Sequence, residues 1–157
     1  MSGGKRRRAG DGPPEIGNPR ARYRFELLDR FECGIALVGP EVKSLRAGQA
    51  SIDEGFARLK RGELWLHGVH IAEYAAKGYA PHEPLRPRKL LLHRREIEQI
   101  RKSVERKGLT LVPLRMYFSE RSLVKVEIAL ARGKKVHDKR QSAKEREAKR
   151  EMRGVRR

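Results

Sequence analysis

The chain has 157 residues, enough for one domain with a modest core and a tail. Its 38 Lys and Arg residues against 20 Asp and Glu residues give a formal net charge of +18, which indicates a polyanionic partner because such an excess destabilises a compact state. The size excludes a multidomain enzyme, and the single Cys33 excludes a domain built on disulfides.

The charge divides the chain into three regions. Residues 1–20 hold five bases and two acids among many Gly and Pro residues, so we expect a flexible basic segment. Residues 21–131 hold 21 bases and 14 acids and contain most of the apolar residues, so they are predicted to form the folded domain. Residues 132–157 hold 12 bases and four acids, a charge of +8, and form a basic C-terminal tail.

The folded region begins with two predicted strands, 22–28 and 31–38, because aromatic, β-branched and aliphatic residues are dense there without a helical stripe. Pro40 suits the first turn of a short helix, which Gly48 would end.

A hairpin is predicted next, with its turn at residues 61–62. The flanking segments alternate in hydropathy, and Phe56, Leu64 and Leu66 are the predicted inward set.

Three prolines in residues 72–89 predict a long loop. A helix over about 93–107 follows, ended by Gly108, and then two strands over 109–118 and 122–130. These elements predict a mainly β fold: a small oligonucleotide-binding-type barrel of about six strands with two helices. The tail has no apolar stripe wide enough to dock on a core, so we expect it to be disordered when free and helical on an anionic surface.

Catalytic and metal-binding patterns are weak. His67 and His70 form an HxxH pair, but on a strand their side chains would point to opposite faces, and zinc normally needs more ligands. Cys33 lies in an apolar strand, where a buried inert thiol is favoured over a nucleophile. The sequence also contains no phosphate-binding glycine motif. We therefore expect no enzymatic activity, no metal and no cofactor.

Basic clusters favour a nucleic acid as the partner. They occur at residues 86–89, 93–95 and 132–135, and phosphate contacts accumulate with their number. Tyr23 and Phe25 lie beside arginines and could stack on unpaired bases. Because nothing resembles a recognition helix for the DNA major groove, RNA is favoured.

Several blocks in order resemble one family, the SsrA-binding proteins (small protein B), which are partners of transfer-messenger RNA. The blocks are ECGIALVGPEVKSLRAG at 32–48, ASIDEGF at 50–56, LHGVHI at 66–71, RKLLLHRREI at 88–97, KGLTLVPLRMYF at 107–118 and ARGKKVHDKR at 131–140.

The resemblance implies a mechanism in ribosome rescue. A barrel over residues 21–131 would bind the transfer-RNA-like domain of transfer-messenger RNA and mimic an anticodon arm. The tail over 132–157 would become helical on a stalled ribosome, in the small-subunit decoding centre and the empty message channel. It further implies one copy per RNA, no small-molecule substrate and no catalysis. Because no apolar run approaches the roughly 20 residues of a membrane span, we separately expect a cytoplasmic protein without a membrane.

The resemblance also implies site residues. Those for RNA binding are Phe25, Glu32, Leu91, His93, Lys125, Arg132, Lys134 and Lys135. Those for the decoding centre and channel are His137, Asp138, Lys139, Arg140, Lys144, Arg146, Lys149, Arg150 and Arg153. Phe25 occupies a position where the family usually has Tyr. The phenylalanine keeps an aromatic face for stacking but lacks the tyrosine hydroxyl. The acidic Glu32 could pair with a neighbouring arginine, or accept from a base amino group.

Two other function classes stay open at this point. A structural protein that permanently binds ribosomal RNA would use its tail as static filler and its barrel as an assembly module. An enzyme acting on RNA is a third class, against which the missing acid-base or metal constellation argues.

Overall fold

A computed structural model of the protein describes residues 12–74, 81–134, 144–148 and 150. The strands are β1 (Ile16–Gly17), β2 (Phe25–Ile35), β3 (Ala50–Ser51), β4 (Phe56–Lys60), β5 (Glu63–His67), β6 (His70–Ile71), β7 (Arg88–Leu91), β8 (Thr110–Phe118) and β9 (Val124–Gly133). The helices are α1 (Ala21–Arg24), α2 (Gly39–Arg46) and α3 (Arg94–Lys107).

Six antiparallel strands follow one another around a ring in the order β8-β4-β5-β7-β2-β9, and β9 pairs back onto β8. Strand β1 adds to β8, while β3 and β6 form a separate two-stranded sheet. This mostly β architecture confirms the predicted fold class. The side chains packed together inside include Cys33, Leu64, Leu66, Leu90, Ile100, Leu111, Met116, Val126, Ile128 and Leu130.

The two strands predicted at 22–28 and 31–38 are one strand, β2, preceded by the short helix α1. Asp29 and Arg30 are polar and exposed, but β2 pairs with β9 on both sides of this point. A register shift between Leu27 and Arg30 absorbs the irregularity as a bulge. Pairing with β9 therefore keeps β2 one continuous strand despite the polar residues in its middle.

Part of the segment predicted to be flexible belongs to the fold. Ile16 pairs with Met116 in the β1–β8 ladder. Asn18 donates from its backbone N–H to Leu114 and from its side-chain amide to Pro113, both at 2.9 Å. The prediction was therefore wrong for residues 16–18, because backbone pairing holds them despite their composition. Residues 1–11 lie outside the described part of the chain.

The predicted hairpin is confirmed, with β4 and β5 joined at residues 61–62, both in the left-handed region at φ 53° and 76°. This turn places Ala57 opposite Leu66 and Phe56 opposite His67. Directly opposed residues share a face, so Phe56 faces outward and is 37% exposed. Its assignment to the inward set was wrong because the turn fixes the opposite register.

The loop predicted over 72–89 ends two residues early, where β7 begins at Arg88. Arg88 is fully buried and forms an ion pair with the equally buried Glu41 of α2. The remaining guanidinium nitrogens of Arg88 donate to the carbonyls of Val69 at 2.8 Å and Pro84 at 3.0 Å. Arg86 pairs with the same carboxylate. Arg88 is thus internal and the partly exposed Arg86 is paired with the same buried carboxylate, so this cluster is not a free cationic surface.

Helix α3 lies within one residue of the predicted bounds of about 93–107. It begins after His93 and ends at Gly108, whose φ of 61° is the left-handed conformation that favours glycine. Ile100 is its fully buried residue. Strand β9 runs to Gly133, so the tail leaves the barrel two residues later than predicted.

Among the helices of the described residues, none combines the length and the apolar character needed to cross a membrane.

Candidate nucleic-acid interface

A row of four residues crosses four neighbouring strands on the outside of the barrel. Tyr117 of β8 pairs with Lys125 of β9, Lys125 pairs with Gly34 of β2, and Gly34 pairs with Leu91 of β7. A Cβ atom on Gly34 would lie 3.2 Å from the Leu91 Cβ, so glycine leaves room for the leucine beside it. Leu91 is 50% exposed. The row thus joins a phenol, an ammonium group and an apolar side chain.

Glu32 lies two residues before Gly34 on the same face of β2. Its carboxylate accepts a hydrogen bond from the Tyr117 hydroxyl. Burial, together with this bond and the charge of Glu32, raises the pKa of Tyr117 to about 12. The phenol therefore stays a donor at neutral pH. The predicted pairing of Glu32 with an arginine is replaced by this bond, which joins residues far apart in the sequence.

Arg115 supports the same surface. Its guanidinium lies 4.1 Å from the Tyr117 ring centroid and 3.3 Å from carboxylate oxygens of Glu127 and Glu15. Partial burial lowers the pKa of Arg115, but hydrogen bonds to Glu127 and Glu15 outweigh this and raise it overall. Arg30 also contacts Glu127, at 3.4 Å. Each exposed pair is weak alone, and together they hold the Tyr117 ring in place.

His93 is the N-cap residue of α3 and follows Leu91 by two positions. It is exposed. Four of the predicted RNA-binding residues, Glu32, Leu91, His93 and Lys125, therefore come together at one end of the β2–β9 ladder and its neighbour β7. We call this end, with Tyr117, the upper face.

The other described RNA-binding residues lie at the opposite end of the same ladder. Phe25 pairs with Gly133, Arg132 contacts Glu26 at 3.5 Å, and the Lys134 N–H donates to the Arg24 carbonyl at 3.0 Å. Arg132 lies seven positions after Lys125 in β9, a distance of about 23 Å along the strand. The predicted residues thus form two groups, the second where the tail begins.

A short part of the tail is described, and there Arg146 contacts the barrel. Its guanidinium lies 4.7 Å from the ring centroid of Tyr23 in α1. The cleft between these segments has a volume of about 520 Å³ and is lined by Arg20, Tyr23, Arg24, Arg146, Glu147 and Arg150. We expected the tail to have no apolar stripe wide enough to pack against the core. The contact between Arg146 and Tyr23 is a cation–π interaction and needs no such stripe.

Lys144, like Arg146 and Arg150, is exposed. The remaining predicted tail residues lie outside the described part of the chain: Lys135, His137, Asp138, Lys139, Arg140, Lys149 and Arg153.

The described residues offer little for catalysis. Cys33 is fully buried, and burial, with the nearby charges of Glu96 and Glu32, raises the pKa of its thiol to about 12. Within the described ranges no three His, Cys, Asp or Glu side chains are grouped to hold a metal ion. The sequence analysis did not identify Tyr117 and Arg115 as functional residues. In the sequence they were marked only by their position in a predicted β-strand beside basic residues.

Comparison with known proteins identifies the family. A family model described as SmpB protein matches residues 15–157. The chain belongs to the SmpB protein family. A relative from Oleidesulfovibrio alaskensis, named SsrA-binding protein, is 56% identical over 136 residues, 87% of each chain. Another of the same name from Thermobifida fusca is 53% identical over 153 residues, 97% of this chain and 95% of its own.

A solved structure supports the fold of this SmpB-family chain. It is described as "tmRNA-SmpB: a journey to the center of the bacterial ribosome", is 49% identical, and superimposes with a TM-score of 0.67. The match covers 83% of this chain and 94% of that chain. The predicted resemblance to SsrA-binding proteins is therefore confirmed.

Proposed function

We propose that this protein binds transfer-messenger RNA and carries it to stalled ribosomes in trans-translation. The similar proteins are SsrA-binding proteins, and the similar structure is described as transfer-messenger RNA and SmpB at the ribosome. These relatives do not favour the alternative of a permanent structural protein of the ribosome. The barrel binds the transfer-RNA-like domain and stands in for an anticodon arm.

The observation that carries the proposal is the upper face. Glu32, Leu91 and Lys125 come from three separate parts of the chain. Strand pairing places Leu91 and Lys125 on either side of Gly34, and Glu32 accepts a hydrogen bond from Tyr117 beside Lys125. Their chemistry suits folded RNA. The ammonium group of Lys125 meets a phosphate, the exposed Leu91 contacts a base or ribose, and the Glu32 carboxylate accepts from an amino group.

The second group acts at the point where the tail leaves the barrel. Arg132 and Lys134 place two cations there, beside the aromatic ring of Phe25. We assign the barrel domain to the residues up to Gly133 and the tail to those from Lys134 onwards. The tail residues from His137 to Arg153 contact the decoding centre and the message channel, where RNA phosphates neutralise their charge and support a helix.

The protein does no chemistry of its own in this account. It works as an RNA-binding adaptor, one copy per transfer-messenger RNA, in the cytoplasm where ribosomes translate. The buried, protonated thiol of Cys33 supports this assignment, because a nucleophilic cysteine needs access and a lowered pKa.

A gel-shift titration with transfer-messenger RNA and with its isolated transfer-RNA-like domain tests the proposal. Leu91→Ala should weaken binding to both RNAs about tenfold, equivalent to about 1.4 kcal/mol. Leu85→Ala is the matched control, because Leu85 is similarly exposed at 54% and lies in the loop before β7. Equal binding by both variants, or preferential binding of a ribosomal RNA fragment by the wild type, would overturn the proposal.

A further inference from the structure

The outer surface of β4, β5 and β7 carries a second cluster of aromatic and basic side chains. In the ring of strands, β5 is three places from β9 in either direction, so this surface faces away from β9. Among the RNA-binding residues predicted from the resemblance, Leu91 borders it, two positions after Lys89 on the outer face of β7, and the other described ones lie on other strands or beyond the end of β7. We call it the hairpin face, formed by Phe56, Arg58, Lys60, Trp65, His67 and Lys89.

Two cross-strand rows organise the hairpin face. In the first, Phe56 pairs with His67, and their rings stack with centroids 5.4 Å apart and planes inclined by 14°. In the second, Trp65 of β5 lies between Arg58 of β4 and Lys89 of β7. The Arg58 guanidinium also lies 5.4 Å from the Phe56 ring centroid. Aromatic rings and cations therefore alternate across neighbouring strands.

A shallow cleft runs beside these rows. It has a volume of about 460 Å³ and is lined by Lys60, Arg61, Glu63, Trp65, His67 and Pro87. Trp65 and His67 are two positions apart on one face of β5, about 7 Å along the strand. They thus offer two successive ring surfaces.

The charge of this surface is positive. Arg58, Lys60, Arg61 and Lys89 surround the rings, and Glu63 is the acid among them, paired with Lys89 at 3.1 Å. Phe56 is exposed, and Trp65 and His67 are partly exposed. Aromatic surface left open to water favours a partner that covers it, and the cations beside it favour a partner with regular negative charge. Unpaired nucleotides meet both requirements, because their bases stack on aromatic rings and their phosphates approach cations.

We propose that the hairpin face is a second RNA-binding site, which takes a short stretch of unpaired nucleotides by stacking on Trp65 and His67. Arg58 and Lys60 contact the flanking phosphates. The hairpin face shares no residue with the upper face. The test of this second site is therefore separate from the test of the function proposed above.

Trp65 is the only tryptophan in the chain, so its fluorescence reports directly on this surface. The full-length protein is titrated with a labelled oligouridylate of about eight nucleotides, within the range of roughly 4–16 that single oligonucleotide-binding folds cover. Label anisotropy measures binding, and tryptophan emission measures contact with Trp65. We expect saturable quenching by the oligouridylate and much weaker quenching by a duplex RNA of equal charge.

Variants separate stacking from general electrostatics. His67→Ala should weaken the quenching titration about tenfold, because loss of one stacking surface costs about 1–3 kcal/mol per base. Arg58→Ala should weaken it more than Arg121→Ala, an exposed arginine in the β8–β9 turn whose loss removes the same charge. Leu123→Ala, an exposed leucine in the β8–β9 turn with no assigned contact, should leave it unchanged.

Three results would overturn the proposal. The first is anisotropy that reports binding while Trp65 emission stays constant. The second is equal weakening by Arg58→Ala and Arg121→Ala. The third is an equal response to polyglutamate, which would assign the surface to an acidic protein partner instead.

Discussion

The hydroxyl of Tyr117 donates a hydrogen bond to a carboxylate oxygen of Glu32, 85 residues earlier in the chain. Strand β9 lies between the strands that carry them, and Arg115 covers the Tyr117 ring. The bond fixes the orientation of the one acidic side chain among the predicted RNA-binding residues. Its contribution to RNA binding can therefore be measured without changing any residue that is assigned to contact RNA.

Tyr117→Phe should weaken binding of transfer-messenger RNA by up to about tenfold, because the Glu32 carboxylate loses its hydrogen-bond donor and its fixed position. The ring and its contact with Arg115 remain, so the fold should be unaffected. Tyr23→Phe is a matched control at the other end of the ladder. A gel-shift titration of both variants, with circular dichroism as a check on folding, would contradict the assignment if Tyr117→Phe bound as tightly as wild type.

Lys125→Ala should lower the affinity for transfer-messenger RNA and reduce the salt dependence of binding. One lost phosphate contact should reduce the slope of log K against log salt concentration by about 0.7–0.9. Lys102→Ala in helix α3 removes the same charge from a surface with no assigned contact and should leave the slope unchanged. Titrations at several salt concentrations measure this, and an unchanged slope for Lys125→Ala would remove it from the phosphate contacts.

Glu41→Gln should destabilise the barrel strongly, because it leaves the buried guanidinium of Arg88 without its counter-charge. Breaking a buried pair in this way typically costs about 3–5 kcal/mol. The exposed pair between Arg101 and Glu98 is the contrast, since solvent screens it and Arg101→Ala should leave the free energy of unfolding almost unchanged. Urea unfolding followed by circular dichroism gives both values, and similar losses for the two variants would refute the distinction.

The same carboxylate predicts the response of stability to acid. Burial raises the pKa of Glu41, but hydrogen bonds from Arg86, the Val38 N–H and Arg88 outweigh it and lower the pKa below the ordinary 4.5. A lowered folded-state pKa stabilises the fold above the unfolded value, and this stability is lost as pH falls below 4.5 towards the folded pKa. The Glu41→Gln variant should lack this part of the acid dependence, and unfolding curves over that pH range would show it.

Much of the fold follows from local sequence patterns. The turn at 61–62 and the end of α3 each contain a glycine in the left-handed conformation, Gly62 and Gly108, and both were predicted. The pairing of Glu41 with Arg88 depends on residues 47 positions apart, so their burial could not be seen in the cluster at 86–89. Tyr117 was missed for the same reason, since its role depends on strand neighbours and not on chain neighbours.

Truncation after Lys134 should leave the barrel folded and abolish tagging at stalled ribosomes, with partial loss of RNA affinity. Truncation after Ala131 is less suitable, because it removes Arg132 and Gly133 from β9 and the Lys134 hydrogen bond to Arg24. Thermal unfolding and a tagging assay on a message without a stop codon measure the two effects. Tagging by the protein truncated after Lys134 would disprove the role of the tail in the channel.

The triple variant Asp138→Ala, Lys139→Ala and Arg140→Ala should abolish tagging and bind transfer-messenger RNA normally. These residues belong to the tail and are assigned to the decoding centre, away from the upper face. The same gel-shift and tagging assays test this. If the variant lost RNA affinity, these residues would be reassigned to the contact with the RNA.

In the proposed function, the protein has one small RNA as its dedicated partner and is not a permanent component of the ribosome. Sequencing the RNA that copurifies with the full chain from its own host tests this most directly, after a wash in high salt that removes subunits. We expect a single dominant RNA species with a transfer-RNA-like end and an internal message. Recovery of ribosomal RNA in its place would contradict the proposed function.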